Sequence, residues 1–216
     1  MSGTTIERIH QGQPLLTGGV PLREASAAVL MLHGRGASAE SILTLTQELG
    51  DPPGFAYAAP QAAGHTWYPH SFLAPLEANE PSLSSALAAV GEAVDHLRVA
   101  GIPRERIVVL GFSQGACLAL EYAARHAGRY GGVVGLSGGL IGPDGYAGSL
   151  DGTPVFLGCS DIDAHIPLAR VHETDAVLQR LGGQVDTRVY PGMGHTINQD
   201  EIDAVRALLR TVVADG

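Results

Sequence analysis

The residues of this chain best suited to chemistry are Gly111-Phe112-Ser113-Gln114-Gly115. The apolar run Ile107-Val-Val-Leu110 leads into them, and the helix-forming run Ala116-Cys-Leu-Ala-Leu120 follows. That order predicts a strand, a turn too tight for ordinary side chains, and a helix, with Ser113 lifted out at the tip. The N–H groups and partial positive charge at the start of such a helix are aimed at the same point. Gly111 and Gly115 suit the turn because a Cβ at either position would strike the neighbouring strand or helix. A serine hydroxyl is a weak nucleophile near neutral pH, so it needs a base, and the base needs an acid to orient it. The chemistry such a set performs is acyl transfer through the serine.

On a strand–turn–helix site of this kind the acid and then the base follow the serine, each after a later strand. Pro154-Val-Phe-Leu-Gly158 is followed by Cys159-Ser160-Asp161-Ile162-Asp163-Ala164-His165-Ile166-Pro167, and Val185-Asp-Thr-Arg-Val-Tyr190 by Pro191-Gly-Met-Gly194-His195. Of the nine histidines only His33 and His195 come directly after strand-like runs, and His33 precedes the serine. His195 is therefore the expected base. His126 reads as a partner of the helix dipole, His96 and His172 as helix residues in surface or ordinary hydrogen-bonded positions, and His10 as near-terminal. His65 and His70 lie in a long loop with no carboxylate or cysteine cluster, so no metal site is expected there. His165 is either structural or pocket-lining. By position alone Asp161, nearer the strand, and Asp163, nearer the next helix, both qualify as the acid. A developing oxyanion needs two N–H donors: one is the amide of Gln114, and the other is expected within Leu32-His33-Gly34-Arg35-Gly36-Ala37.

These residues need a scaffold that brings distant loops together. Strand-like runs recur at Ala28-Val-Leu-Met-Leu-His33, Phe55-Ala-Tyr-Ala-Ala59, Ile107-Val-Val-Leu110, Gly132-Val-Val-Gly-Leu136, and the two runs before the acid and base. Most are continuously apolar, as in a parallel sheet covered on both faces. Between them lie helical stripes from Pro81 to Ala100, from about His165 to Leu181, and from Asn198 with Asp200 and Glu201 in its first turn. Strands alternating with helices predict an α/β fold with a mainly parallel, doubly wound sheet and right-handed crossovers. Residues 60–81 form the longest irregular stretch, a length that marks functional loops. Gly34-x-Gly36 after a strand imitates a dinucleotide-binding turn, but the next strand ends Ala58-Ala59-Pro60-Gln61 without the ribose-binding carboxylate.

The 216 residues suit one domain with a full-sized core. A net charge of −9 and the lack of any basic block argue against a nucleic-acid partner. No leader pattern is readable at the N-terminus, and no apolar run reaches the ~20 residues needed to span a bilayer, so a cytoplasmic protein without membrane insertion is expected. Cys117 and Cys159 form no Cys-x-x-Cys pair and are expected as buried thiols.

Leu32-His33-Gly34, Gly111-Phe112-Ser113-Gln114-Gly115, Asp163-x-x-Ile166-Pro167 and Gly194-His195 together resemble the α/β-hydrolase family of small carboxylesterases, lysophospholipases and acyl-protein thioesterases, over about Val29 to Leu209. The resemblance implies that the acid is Asp163, four residues before Pro167, and that the amides of Arg35 and Gln114 hold the oxyanion. It also implies that Trp67 lies close to the acyl site. Trp67 and Tyr68, expected exposed in the long loop with Leu73 and Leu76 packing beneath, are the candidate substrate-binding residues. Two departures favour a bacterial-type carboxylesterase: Arg35 where the thioesterase branch has an apolar residue, and no acid after Trp67-Tyr68-Pro69. The implied activity is hydrolysis of short- to medium-chain esters without a cofactor. The expected partner is a small-molecule ester, and the protein is expected to be a monomer or homodimer. An acyl-thioesterase or lysophospholipase on the same residues is one alternative, and a non-catalytic binding protein on the same fold is the alternative from another class.

Overall fold

The computed structural model describes residues 7–50 and 52–214. Seven strands form one sheet: β1 (Leu15–Gly19), β2 (Ala27–Leu32), β3 (Phe55–Pro60), β4 (Ile107–Phe112), β5 (Gly132–Leu136), β6 (Pro154–Ser160) and β7 (Gln184–Tyr190). Their order across the sheet is β1-β3-β2-β4-β5-β6-β7. Every pairing is parallel except that of β1 with β3.

The continuous apolar strands have a simple cause. All six residues of β2 are buried, and they alternate between two cores: Ala28, Leu30 and Leu32 face one, Ala27, Val29 and Met31 the other. On the first face pack α4 (Ser82–Val99), α5 (Gln114–Arg125) and α6 (Leu168–Arg180). The second face carries α1 (Ala39–Leu43), α2 (Leu45–Leu49) and α7 (Gln199–Ala214), and a short α3 (Leu76–Asn79) precedes α4. The expected α/β layering is present.

β1 was not anticipated from the sequence. Leu15-Leu-Thr-Gly-Gly19 is short, ends in two glycines and is only half buried, so it carries little strand signal; pairing with β3 at the sheet edge is what extends it. The expected strand and helix boundaries otherwise shift by a few residues: β6 runs on to Ser160, and α6 starts at Leu168 rather than His165. Because β2 to β7 run the same way, the loops after them leave from one edge of the sheet. Residues 33–37, 61–72, 113, 161–166 and 191–195 all belong to that edge.

Candidate active site

Ser113 sits between β4 and α5 with φ 56° and ψ −119°, a conformation that costs a non-glycine residue energy. The surrounding structure holds it there. Its N–H donates to the Leu136 carbonyl of β5 at 2.9 Å, and its carbonyl accepts from Cys117 N at 3.0 Å. The crossing is so close that a Cβ on Gly111 would collide with the Gly115 carbonyl, and one on Gly115 with the Leu32 carbonyl of β2.

From this serine a hydrogen-bonded chain runs through two other loops. His195 Nε2 lies 2.8 Å from Ser113 Oγ, and His195 Nδ1 lies 2.6 Å from Asp163 Oδ2. An ionised Asp163 accepts the Nδ1–H, which leaves Nε2 to accept the serine proton. The Asp163 side chain has no solvent exposure, and its other oxygen accepts from the amides of His165 (2.7 Å) and Ile166 (3.1 Å). Burial pushes its pKa up, but the bonds from His195 and the two amides outweigh that and hold it below the ordinary 3.8. Of the two aspartates left open by position, the geometry joins Asp163 to His195. Asp161 instead accepts from Gly192 N at 2.8 Å and braces the turn that carries His195.

The two amides expected at an oxyanion are those of Gln114 and Arg35. Gln114 is the first residue of α5, where no helical carbonyl is available to its N–H. The amide of Arg35 makes no hydrogen bond to another described residue. Its loop is held from below by His33, whose Nε2 accepts from Ala62 N at 3.1 Å and whose Nδ1–H then donates to the Gly34 carbonyl at 2.8 Å. Burial lowers the pKa of His33, so it remains a neutral part of the scaffold.

The tryptophan loop differs from its expected form. Trp67 is fully buried, its indole N–H donates to the His33 carbonyl at 2.9 Å, and its ring packs near His33 and His10. It is a core anchor beneath the 33–37 loop and does not line the cavity, because an indole in that position fills the space between 33–34 and 62–67. Tyr68, also expected exposed, is 2% exposed but does line the cavity. Leu73 is half exposed; Phe72 occupies the buried position instead.

The cavity above Ser113 measures about 470 Å³ and is lined by Arg35, Tyr68, His70, Phe72, Phe112 and Ile166, among others. Cys117 is at its floor, buried, with its thiol pushed up to about 12 by desolvation and therefore neutral. His165 also lines it, edge-on to His195 with 4.8 Å between ring centres. Another cleft, of about 520 Å³, opens at the opposite end of β5 to β7; no serine, cysteine or histidine lines it.

Sequence reasoning missed what the side chains of Gln114 and Arg35 do. Gln114 Oε1 accepts from Trp67 N at 2.9 Å and its Nε2 donates to the Tyr68 carbonyl at 2.8 Å. Arg35 Nη1 donates to the Pro69 carbonyl (2.8 Å) and to Thr66 Oγ1 (3.2 Å), and Nη2 to the His70 carbonyl (2.7 Å). His10, read as merely near-terminal, is buried and takes Trp67 O and Ala63 N as partners. The departure at Arg35 was the one sequence signal among these.

A mostly parallel sheet with loops converging on a serine between strand and helix defines the α/β-hydrolase fold. The family model described as Phospholipase/Carboxylesterase matches residues 20–213, and the chain belongs to that family of hydrolases. The crystal structure of a phospholipase/carboxylesterase from Dyadobacter fermentans is 43% identical, covers 97% of this chain and 100% of its own, and has a TM-score of 0.87. Acyl-protein thioesterase 1 of Gibberella zeae is 35% identical over 116 residues, which is 51% of this chain and 49% of that protein. The Saccharomyces cerevisiae protein of the same name is 30% identical over 139 residues, 60% of this chain and 58% of its own. The chain thus spans about half the length of the curated relatives it matches.

Proposed function

We propose that this protein is a serine carboxylesterase that hydrolyses short- to medium-chain esters through Ser113, His195 and Asp163. The observation that carries the proposal is the unbroken chain from Ser113 Oγ through the imidazole to the buried Asp163 carboxylate, at 2.8 and 2.6 Å. His195 takes the serine proton as Oγ attacks the ester carbonyl. Asp163 holds the Nδ1–H tautomer and stabilises the imidazolium, and the amides of Arg35 and Gln114 take the oxyanion. His195 then protonates the departing alcohol, and water repeats the cycle on the acyl-enzyme. The cavity of about 470 Å³ suits a short or medium acyl group.

The test is a 4-nitrophenyl ester series from acetate to palmitate, with fluorophosphonate labelling. Ser113→Ala is expected to lose turnover with its fold intact, and the label is expected on Ser113 alone. Ser137 is the control, because it too ends a strand with positive φ (52°); a label there would replace the nucleophile. The names of the curated relatives favour a second reading, hydrolysis of acyl thioesters on the same residues, and matched ester and thioester substrates separate the two.

A further inference from the structure

Arg35 has no acidic partner among the described residues. It forms none of the ion pairs of the described residues, and no Asp or Glu lines the cavity it borders. This is notable in a chain of net charge −9, whose overall field repels anions. The three hydrogen bonds of the guanidinium leave from Nη1, twice, and from Nη2. All go to neutral acceptors on residues 66–70, and the guanidinium carbon lies 5.9 Å from the centre of the Tyr68 ring, so no anion offsets the charge and the side chain is held in one place. Nε–H has no partner among the described residues, and Nη2 has a single one. Nε and Nη2 form one edge of the planar fork, the arrangement that binds a carboxylate with two parallel bonds.

We propose that Arg35 selects esters whose acyl part carries a terminal carboxylate, such as half-esters of dicarboxylic acids. The inference rests on the reading of Ser113 as nucleophile. The acyl side follows from the same mechanism: His195 protonates the leaving alcohol, so the alcohol lies toward His195 and its neighbour His165. The acyl group is left to the part of the cavity bordered by Arg35, Tyr68 and Phe72.

The experiment compares 4-nitrophenyl monoesters of glutaric and adipic acid with the 4-nitrophenyl esters of the corresponding monoamides, after subtracting spontaneous hydrolysis. Each pair is matched in length and differs in charge. The wild type is expected to favour the acid over the amide roughly tenfold in kcat/KM, as a charge-assisted bond at a solvent-exposed site would give. About 0.5 M salt should erode that ratio. Arg35→Gln should bring it to near one, and Arg35→Lys, which keeps the charge without the fork, should retain part of it. Equal kcat/KM for acid and amide in the wild type, or a preference that survives Arg35→Gln, overturns the inference. So does an Arg35→Gln variant slowed by the same factor on both esters, since that result assigns the side chain to holding the loop alone. If neither ester is turned over and Ser113 resists the fluorophosphonate, the parent reading fails and this one with it; turnover without charge preference removes this inference only.

Discussion

At the scale of residues, the two aspartates of the 161–166 loop give the sharpest contrast. Asp163 meets His195 and two amides, whereas Asp161 meets only the Gly192 amide. Asp163→Asn is expected to lower kcat by roughly 10⁴, the scale of a wrongly held histidine tautomer, and Asp161→Asn by less than about tenfold. Steady-state kinetics on one activated ester measures both; comparable losses would mean that the acid's role is shared. Because the pKa of Asp163 is depressed, its contribution to stability is present above the ordinary carboxylate value and is lost as pH falls below it. Serine and histidine were readable because strand, turn and helix signals surround them. The aspartates are two residues apart on one loop, and only the path of the chain after Ser160 separates them.

At the scale of elements, the 61–72 loop is less a flexible flap than a folded piece of the core. Trp67 anchors it from below, and Gln114, Arg35 and His10 grip its backbone. Trp67→Ala is expected to cost about 3–5 kcal/mol of stability, read by denaturant unfolding, and to leave the acyl-length profile of any surviving enzyme unchanged. Phe72→Ala should do the opposite, shifting preference to longer acyl groups by enlarging the cavity with a smaller loss of stability. If Trp67→Ala instead shifts chain length at constant stability, the indole belongs to the substrate pocket after all. The loop's length marked it as functional, but its burial was not readable. The partners that bury it come from positions 10, 33 and 114, which only the folded sheet brings together.

At the scale of the whole molecule, the sheet was legible because strand after strand is apolar on both faces, which few other architectures tolerate. What escaped was the one antiparallel edge, β1. The same tight layering traps a charge. Glu201 is fully buried at the start of α7, against Gly158 of β6, where any Cβ would strike its carboxylate. One oxygen accepts from Asn198 N at 2.8 Å, while the other has no partner among the described residues. Burial pushes its pKa from 4.5 up to about 7, with Asp200 adding to the rise. A carboxyl whose folded pKa is raised stabilises the fold fully below its unfolded value, and that contribution is lost as pH climbs through the folded one. Stability should therefore decline between about pH 4.5 and 7, by up to roughly 3 kcal/mol from this group. Glu201→Gln, which keeps an acceptor for Asn198, should flatten the decline, and thermal melts across pH 4.5–8 would reveal it. Parallel curves for the two proteins would show that the carboxyl is solvated.

The grip of Gln114 on Trp67 and Tyr68 also bears on how such an enzyme can change over time. The residue whose amide is proposed for the oxyanion is the same one whose side chain fastens the 61–72 loop, so the two parts are not independent modules. A loop of different shape grafted from a relative would lose its fastening unless position 114 and the Arg35 turn were exchanged with it. Drift in substrate range along this lineage is then expected to proceed by small changes inside the cavity, at positions such as Phe72, more readily than by replacement of the loop.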